Sequence, residues 1–383
     1  MSAKKFLLVF SFSCLFLSVF ANNVHAIFDP LAQKNNFFGI HLLFPEEVDD
    51  AKKLVNSSGG DWGYVTMPIQ MGDRDLEKWQ LFMDKAKQNH IIPLMRLMTE
   101  PDWQNSAVWR KPTDLDIVDM ANFLNSLDWP IENRYIILFN EINRFDEWGG
   151  QPPNPEEYAD LVDYAIDAFK ARNPNFFMIM GGFDNASPND GVRYLDNFAY
   201  IRRIASYKQD VFKKIDGFSS HSYPNPNFAR PPSENGEMST STYLHEYELI
   251  NSLAQKKVPV FITETGWNSE VLTDDQIAKY YKQSFEQIWM QNSDKIAAVT
   301  PFLLRSHGGF DKFSFFKNGV PTKYYEAVQS ISKIKGEPKL GINTSSLLAT
   351  SEIAGKEAKE RSKPSKNDFS MVVKFYFKSM LGL

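Results

Sequence analysis

Apolar residues in this chain gather in short blocks. The blocks read FFGIHLLF (37–44), WGYVTMPI (62–69), IIPLMRLM (91–98), RYIILFN (134–140), FFMIMGGF (176–183), IDGFSSHSY (215–223), VPVFITET (258–265) and VTPFLLRS (299–306). Near-continuous apolar strands of this kind belong to parallel sheets covered on both faces. Between them the period changes to that of helices. After Asn154, Pro155 suits a first helical position and Glu156 and Glu157 a first turn. Tyr158, Leu161, Val162, Ala165, Ile166 and Phe169 then recur at helical spacing until Asn173-Pro174. Thr273 and Gln276 form a capping-box pattern ahead of Ile277, Tyr280, Tyr281 and Ile288. Eight such βα units predict an α/β chain folded as a (β/α)8 TIM barrel over residues 27–335. The alternative, an open doubly wound sheet, lacks the glycine-rich phosphate turn expected after its first strand.

The two ends read differently. Lys4 and Lys5 precede the apolar run Phe6–Phe20, and Val24-His25-Ala26 fits a small-x-small cleavage pattern. Residues 1–26 therefore predict a secretory signal peptide cut after Ala26, and with it a secreted or periplasmic protein. The run is short for an uncleaved membrane anchor. Residues 336–383 predict a polar linker containing GKEAKERSKPSKND, followed by the apolar segment FSMVVKFYFKSMLGL, which is too short to span a bilayer. No integral membrane domain is expected once the signal is removed.

Composition narrows the partners. The chain of 383 residues carries a formal charge of −5, more negative still without Lys4 and Lys5, which argues against nucleic acid or anionic membrane as partners of the barrel. Its single cysteine, Cys14, lies inside the signal segment, so the remainder has no disulfide and no thiolate metal site. No His, Asp or Glu cluster has metal-ligand spacing, and neither a metal nor a cofactor is expected. The sequence leaves the oligomeric state open.

Chemistry in such barrels sits at the carboxyl ends of the strands. The polar residues there are His41 on the first strand, Arg96 on the third, Asn140, Glu141 and Asn143 on the fourth, His221 and Tyr223 on the sixth, Glu264 on the seventh, and Arg305 and His307 on the eighth. Glu141 and Glu264 thus face one another across the barrel mouth. Two carboxylates about 5 Å apart suit retaining glycoside hydrolysis, and about 6.5–9.5 Å suits inversion. Asp146, Glu147, Glu100 and Asp102 read as solvated loop acids. Arg96 also suits a structural ion pair, and His221 a hydrogen-bonded core position.

Asn140-Glu141, Glu264, Arg96 and His221-Ser222-Tyr223, in this order, resemble the clan A glycoside hydrolases, as does GVPTKYYEAVQ (319–329) at the last helix. The resemblance covers about residues 37–335 and implies a glycosidase acting on β-linked oligo- or polysaccharide without a cofactor. It implies Glu141 as acid/base, Glu264 as nucleophile, and Asn140 on the sugar 2-hydroxyl. Arg96 and Tyr223 would hold Glu264 ionised, and His221 would tune the pair. The chain departs from the clan pattern in two places. Ile142 follows Asn-Glu where proline is usual, and no tryptophan occurs between Val299 and Phe316. Trp267 or Trp148 would then stack on the sugar, with His307 and His41 as further contacts. ETGW also resembles barrels that cut β-1,3-glucans. The rival expectation is a non-catalytic carbohydrate-binding barrel at the cell envelope.

Overall fold

The computed structural model describes residues 27–341. The predicted signal peptide and all of the predicted tail beyond residue 341 lie outside the described residues. Eight parallel strands follow one another around a single sheet: β1 (Gly39–His41), β2 (Gly63–Gln70), β3 (Ile91–Met98), β4 (Arg134–Asn140), β5 (Phe176–Gly182), β6 (Gly217–His221), β7 (Val260–Glu264) and β8 (Ile296–Val299). A parallel bridge between Phe38 and Val299 joins the first strand to the last and closes the barrel. Among the described residues, nine α-helices lie between or after the strands: α1 (Val48–Val55), α2 (Leu76–Gln88), α3 (Asp114–Ser126), α4 (Pro155–Arg172), α5 (Asn197–Lys208), α6 (Val211–Lys214), α7 (Thr242–Ala254), α8 (Asp274–Gln283) and α9 (Lys323–Ser330).

The alternation of the strands explains why their sequences look apolar throughout. Tyr64, Leu94, Tyr135, Ile137, Phe177, Ile179 and Phe261 turn inward and fill the lumen. Their neighbours Val65, Met95, Ile136, Met178 and Ile262 turn outward under the helices. Towards the carboxyl ends the inward positions become polar. Thr66 and Thr300 share a hydrogen bond of 2.7 Å, and Ser219 bonds Thr263. This polar layer lies above the apolar one and carries the site.

Both helix starts read from the sequence are present. Asn154 accepts from the backbone N–H of Glu157 at 3.1 Å to open α4, and Thr273 and Gln276 cap α8 reciprocally. The eighth strand lies earlier than its predicted run. β8 is Ile296–Val299, and Phe302 and Leu303 beyond it join a buried aromatic cluster with Phe310, Phe313 and Tyr223. Lumen space is the reason. Ala297 and Ala298 are small enough to face the rings of Tyr135, Phe177 and Phe261, whereas the bulkier PFLL segment fills the space above.

Six described residues follow Lys335, where the boundary was expected. Residues 336–341 return under the barrel with the N-terminal segment. Gly336 N–H donates to Asp61 O at 2.9 Å, Glu337 N–H to Lys34 O at 2.8 Å and Glu132 N–H to Lys339 O at 2.8 Å. Phe28 and Asn133 exchange two hydrogen bonds, of 3.0 and 2.7 Å. The amino end of the barrel is thereby floored.

Candidate active site

β4 and β7 end in the two glutamates. The backbone of β4 turns sharply at its end: Phe139 and Glu141 have φ of 71° and 40°, in the left-handed region that costs a non-glycine residue about 1–3 kcal/mol. The turn is held by Glu141 N–H donating to Gly182 O at 2.8 Å and Arg144 N–H donating to Glu141 O at 2.9 Å. It swings the Glu141 carboxyl over the lumen. There His221 Nδ1 meets Glu141 Oε1 at 2.9 Å and lies 3.9 Å from Glu264 Oε2. Gly182 makes room for this, because a side chain at that position would collide with the His221 ring. One oxygen of Glu141, one of Glu264 and a ring nitrogen of His221 all fall within 4.8 Å of one another.

Glu264 is buried and fully partnered. Arg96 Nη1 donates to Oε1, and Tyr223 donates its hydroxyl to Oε2 at 2.9 Å. His41 Nε2 stands 3.6 Å from Oε1. Burial alone would push this carboxyl up, but the charges of His221 and Arg96, with His41 and the Arg96 hydrogen bond, outweigh it and hold it down to about 2. Glu141 goes the other way. Its burial, reinforced by the nearby Asp184 charge, exceeds the stabilisation from His221 and Arg144 and raises its pKa. His221 is also raised. Burial pulls it down, but the charge of Glu264 and the bond to Glu141 prevail. His41, buried and beside Arg96, is driven down to about 3 and is neutral near pH 7.

The three clustered groups are also those that could hold a metal ion. Both oxygens of Glu264 already accept hydrogen bonds, however, and a His221 raised towards its cationic form is a poor ligand. The arrangement suits proton transfer and nucleophilic attack better than metal binding.

Several expected site residues converge here: Glu141, Glu264, Asn140, Arg96, His221, Tyr223 and His41. Asn140 accepts from Arg96 Nη1 at 2.8 Å through Oδ1. His41 is completely buried, and neither ring nitrogen has a hydrogen-bond partner among the described residues.

The tryptophans do not converge. Trp148 and Trp267 are each 1% exposed. Trp148 packs on Tyr158 under Lys111, and Trp267 donates to Arg230 O at 2.9 Å with its ring against Tyr280 and Tyr281. Neither offers a face to a sugar, because each anchors a loop to the barrel wall. His307 stands at the rim, its side chain 42% exposed, bonded to Glu47 at 2.9 Å and edge-on to Phe44. Arg305 leaves the mouth altogether, pairing with Asp50 and lying over Phe316.

Two of the loop acids expected to be solvated are not. Asp146 is buried and makes a two-point contact with Arg144, at 3.1 and 2.8 Å. Glu147 is half-buried and accepts from Asn140 Nδ2 at 3.1 Å. Arg144 also reaches Asp184 at 3.4 Å and Glu141 at 3.6 Å. The available signal was the density of charge in EINRFDE (141–147), directly after the strand end.

The fold and this mouth define a closed (β/α)8 barrel with a supported carboxylate pair. The sequence matches no protein-family description and no curated protein. Solved structures do resemble it. A family 39 glycoside hydrolase from the gut symbiont Bacteroides cellulosilyticus aligns at 16% identity and a TM-score of 0.57, covering 81% of this chain and 65% of that one. A monomeric β-xylosidase from Caulobacter crescentus aligns at 13% and 0.52, covering 78% and 68%. An endoglucanase from the hyperthermophilic Thermotoga maritima aligns at 13% and 0.50, covering 79% and 100%. At such identities the likeness establishes the barrel fold. The aligned part spans a little under two thirds of the Bacteroides enzyme.

Proposed function

We propose that this protein is a retaining glycoside hydrolase acting on β-linked oligo- or polysaccharide. The observation that carries the reading is the carboxylate pair itself. An oxygen of Glu141 and one of Glu264 lie within 4.8 Å, a gap closer to the roughly 5–5.5 Å of retaining enzymes than to the roughly 6.5–9.5 Å of inverting ones. Their surroundings shift them in opposite directions, Glu141 up through burial and Glu264 down through its cationic neighbours, as the two roles require.

In the first step a carboxylate oxygen of Glu264 attacks the anomeric carbon. The glycosidic C–O bond breaks, and Glu141 delivers its proton to the departing oxygen. In the second step Glu141 takes a proton from water as that water attacks the anomeric carbon, and Glu264 is released. Arg96 and Tyr223 keep Glu264 ionised before attack and receive it after release. The likeness of the barrel to solved glycosidases supports this reading at the level of fold. Residues 1–26 would direct export, with mature chains beginning at Ile27 on N-terminal sequencing.

Reducing-end release by the purified protein on β-glucans, mannans, xylans and galactans tests the function, with Glu264→Gln as control. Release that falls by about 10,000-fold or more in the control, with unchanged melting, is the expected result. Glycan binding without any release would identify a carbohydrate-binding barrel instead.

A further inference from the structure

Arg144 lies three residues after Glu141 in the turn that leaves β4, and its N–H donates to Glu141 O at 2.9 Å. Its guanidinium is buried among three carboxylates. Asp146 takes Nε and Nη2, at 3.1 and 2.8 Å, and this two-point contact fixes the group. The third nitrogen, Nη1, stands between two acids on different loops. Asp184 Oδ2, after β5, accepts from it at 3.4 Å, and Glu141 Oε2 lies 3.6 Å away, just beyond hydrogen-bond length. Glu141 Oε1 is occupied by His221 Nδ1 at 2.9 Å. Asp184 does not depend on Arg144 for its place, because Ala186 N–H donates to its Oδ1 and the Ser187 hydroxyl to its Oδ2, both at 2.8 Å. Further charged or titratable groups around Glu141 are Glu264 on β7, with Arg96 and His41 beyond it, and Tyr223 after β6. Its own loop adds Asp146 and Glu147.

We infer that Arg144 is a positioning residue whose Nη1 passes from Asp184 to Glu141 once Glu141 has given up its proton, and so steadies the ionised carboxylate that must activate water in the second step. The inference rests on the glycosidase reading above. A movement of about 0.7 Å brings Nη1 to the ordinary 2.9 Å from Oε2. Burial first, and the Asp184 charge after it, favour the proton on Glu141 in the free enzyme. A protonated Glu141 attracts a cation weakly, so Asp184 holds Nη1 before the first step. After that step Glu141 carries a charge, and Glu264, bonded to the sugar, has lost one. Burial works against a charged His221, and the Glu264 charge that chiefly opposes burial is then gone. Arg144 stays charged throughout, because a guanidinium does not deprotonate in proteins. It is the cation that remains for Glu141.

The test uses the full-length protein. Nitrophenyl β-glycosides of glucose, mannose, xylose and galactose are screened, and the best is paired with its dinitrophenyl counterpart. Arg144→Met removes the cation, and Asp184→Asn removes its competitor with little change of shape. In rate–pH profiles on the nitrophenyl glycoside, Arg144→Met should move the alkaline limb to higher pH and Asp184→Asn should move it to lower pH. A dinitrophenyl group departs without a proton, so there kcat/KM reports attack by Glu264 and kcat reports the water step once that step limits. On this substrate Arg144→Met should lose about 10-fold or more in kcat and less than about 3-fold in kcat/KM. Azide, a nucleophile that needs no base, should restore kcat, and Arg144→Lys, which keeps the charge, should recover part of the loss. Should Arg144→Met fail to fold, the direction of the Asp184→Asn limb decides alone. A limb that stays in place or rises in Asp184→Asn, or equal losses of kcat and kcat/KM in Arg144→Met, would reduce Arg144 to a structural partner of Asp146. Either result overturns the inference and leaves the glycosidase standing. Absence of wild-type turnover on these substrates and on the glycan panel would overturn the glycosidase itself and this inference with it.

Discussion

Glu141 and Glu264 carry the same functional group within a few ångströms, yet only Glu264 faces a full complement of donors. Arg96 and Tyr223 each take one of its oxygens, whereas Glu141 shares a proton with His221 and is bordered by Asp184. The working state has Glu264 ionised and the Glu141–His221 pair protonated. Activity should therefore persist down towards the pKa of Glu264, about 2, for as long as the fold lasts. Both members of the pair are shifted upward, so the alkaline limb should lie above the ordinary carboxylate value of 4.5 and belong to the pair, not to either residue. Glu141→Gln should remove that limb. It should also cost about 100-fold to 10,000-fold on alkyl glycosides, which need a proton, and much less on dinitrophenyl glycosides, which do not. Rates for the two leaving-group classes across pH check this, and an equal loss on both would assign the acid role elsewhere.

Elements differ in how plainly the sequence announces them. The caps of α4 and α8 were legible because a cap is a local exchange of hydrogen bonds between residues three apart. The glutamates were legible because each ends an apolar run. β8 was misplaced because an apolar run has the same pattern in a strand as in a buried loop, and only the lumen's crowding by Tyr135, Phe177 and Phe261 selects Ala297 and Ala298. Glu147 read as a solvated loop acid for a similar reason: within a loop, spacing carries no direction. Glu246 on α7 shows a third limit. It is buried behind β6 and accepts from Asn197 on α5 at 3.2 Å, and burial pushes its carboxyl up to about 7 from 4.5 despite hydrogen bonding by Ser220 and Asn197. The folded state then binds this proton more tightly than the unfolded chain. Stability from the group is complete below about 4.5 and is lost as pH rises through about 7. Glu246→Gln should match the wild type in melting temperature near about pH 5 and melt higher near about pH 8, with an unfolding free energy larger by up to about 3 kcal/mol. Parallel melting curves at both pH values would show that the helix tolerates the charge.

Across the whole molecule the barrel divides its tasks between its two ends. The carboxyl end holds the buried carboxylate pair with Arg96 and His221, and such a cluster needs a rigid surrounding wall. The amino end supplies closure. There the apolar lumen around Tyr64 and Tyr135 is covered by the N-terminal segment through Phe28 and Asn35, and by residues 336–341 through Lys339 and Leu340. Tyr64 donates to Asn35 at 2.7 Å, Lys339 pairs with Glu132 at 3.0 Å, and Leu340 bridges Ile131. None of these residues touches the site, so the floor should govern stability without governing chemistry. A chain ending at residue 335 loses the backbone bonds to Asp61, Lys34 and Lys339 together with that ion pair, roughly 2–4 kcal/mol at about 1 kcal/mol per net hydrogen bond. Relative to a chain ending at residue 341, its melting temperature should fall by several degrees, while kcat measured well below the transition stays the same. Calorimetry and single-substrate kinetics on the two chains separate the effects. Equal melting temperatures would make residues 336–341 a passive extension, and a fall in kcat at equal folded fraction would show that the floor reaches the carboxylates through the lumen.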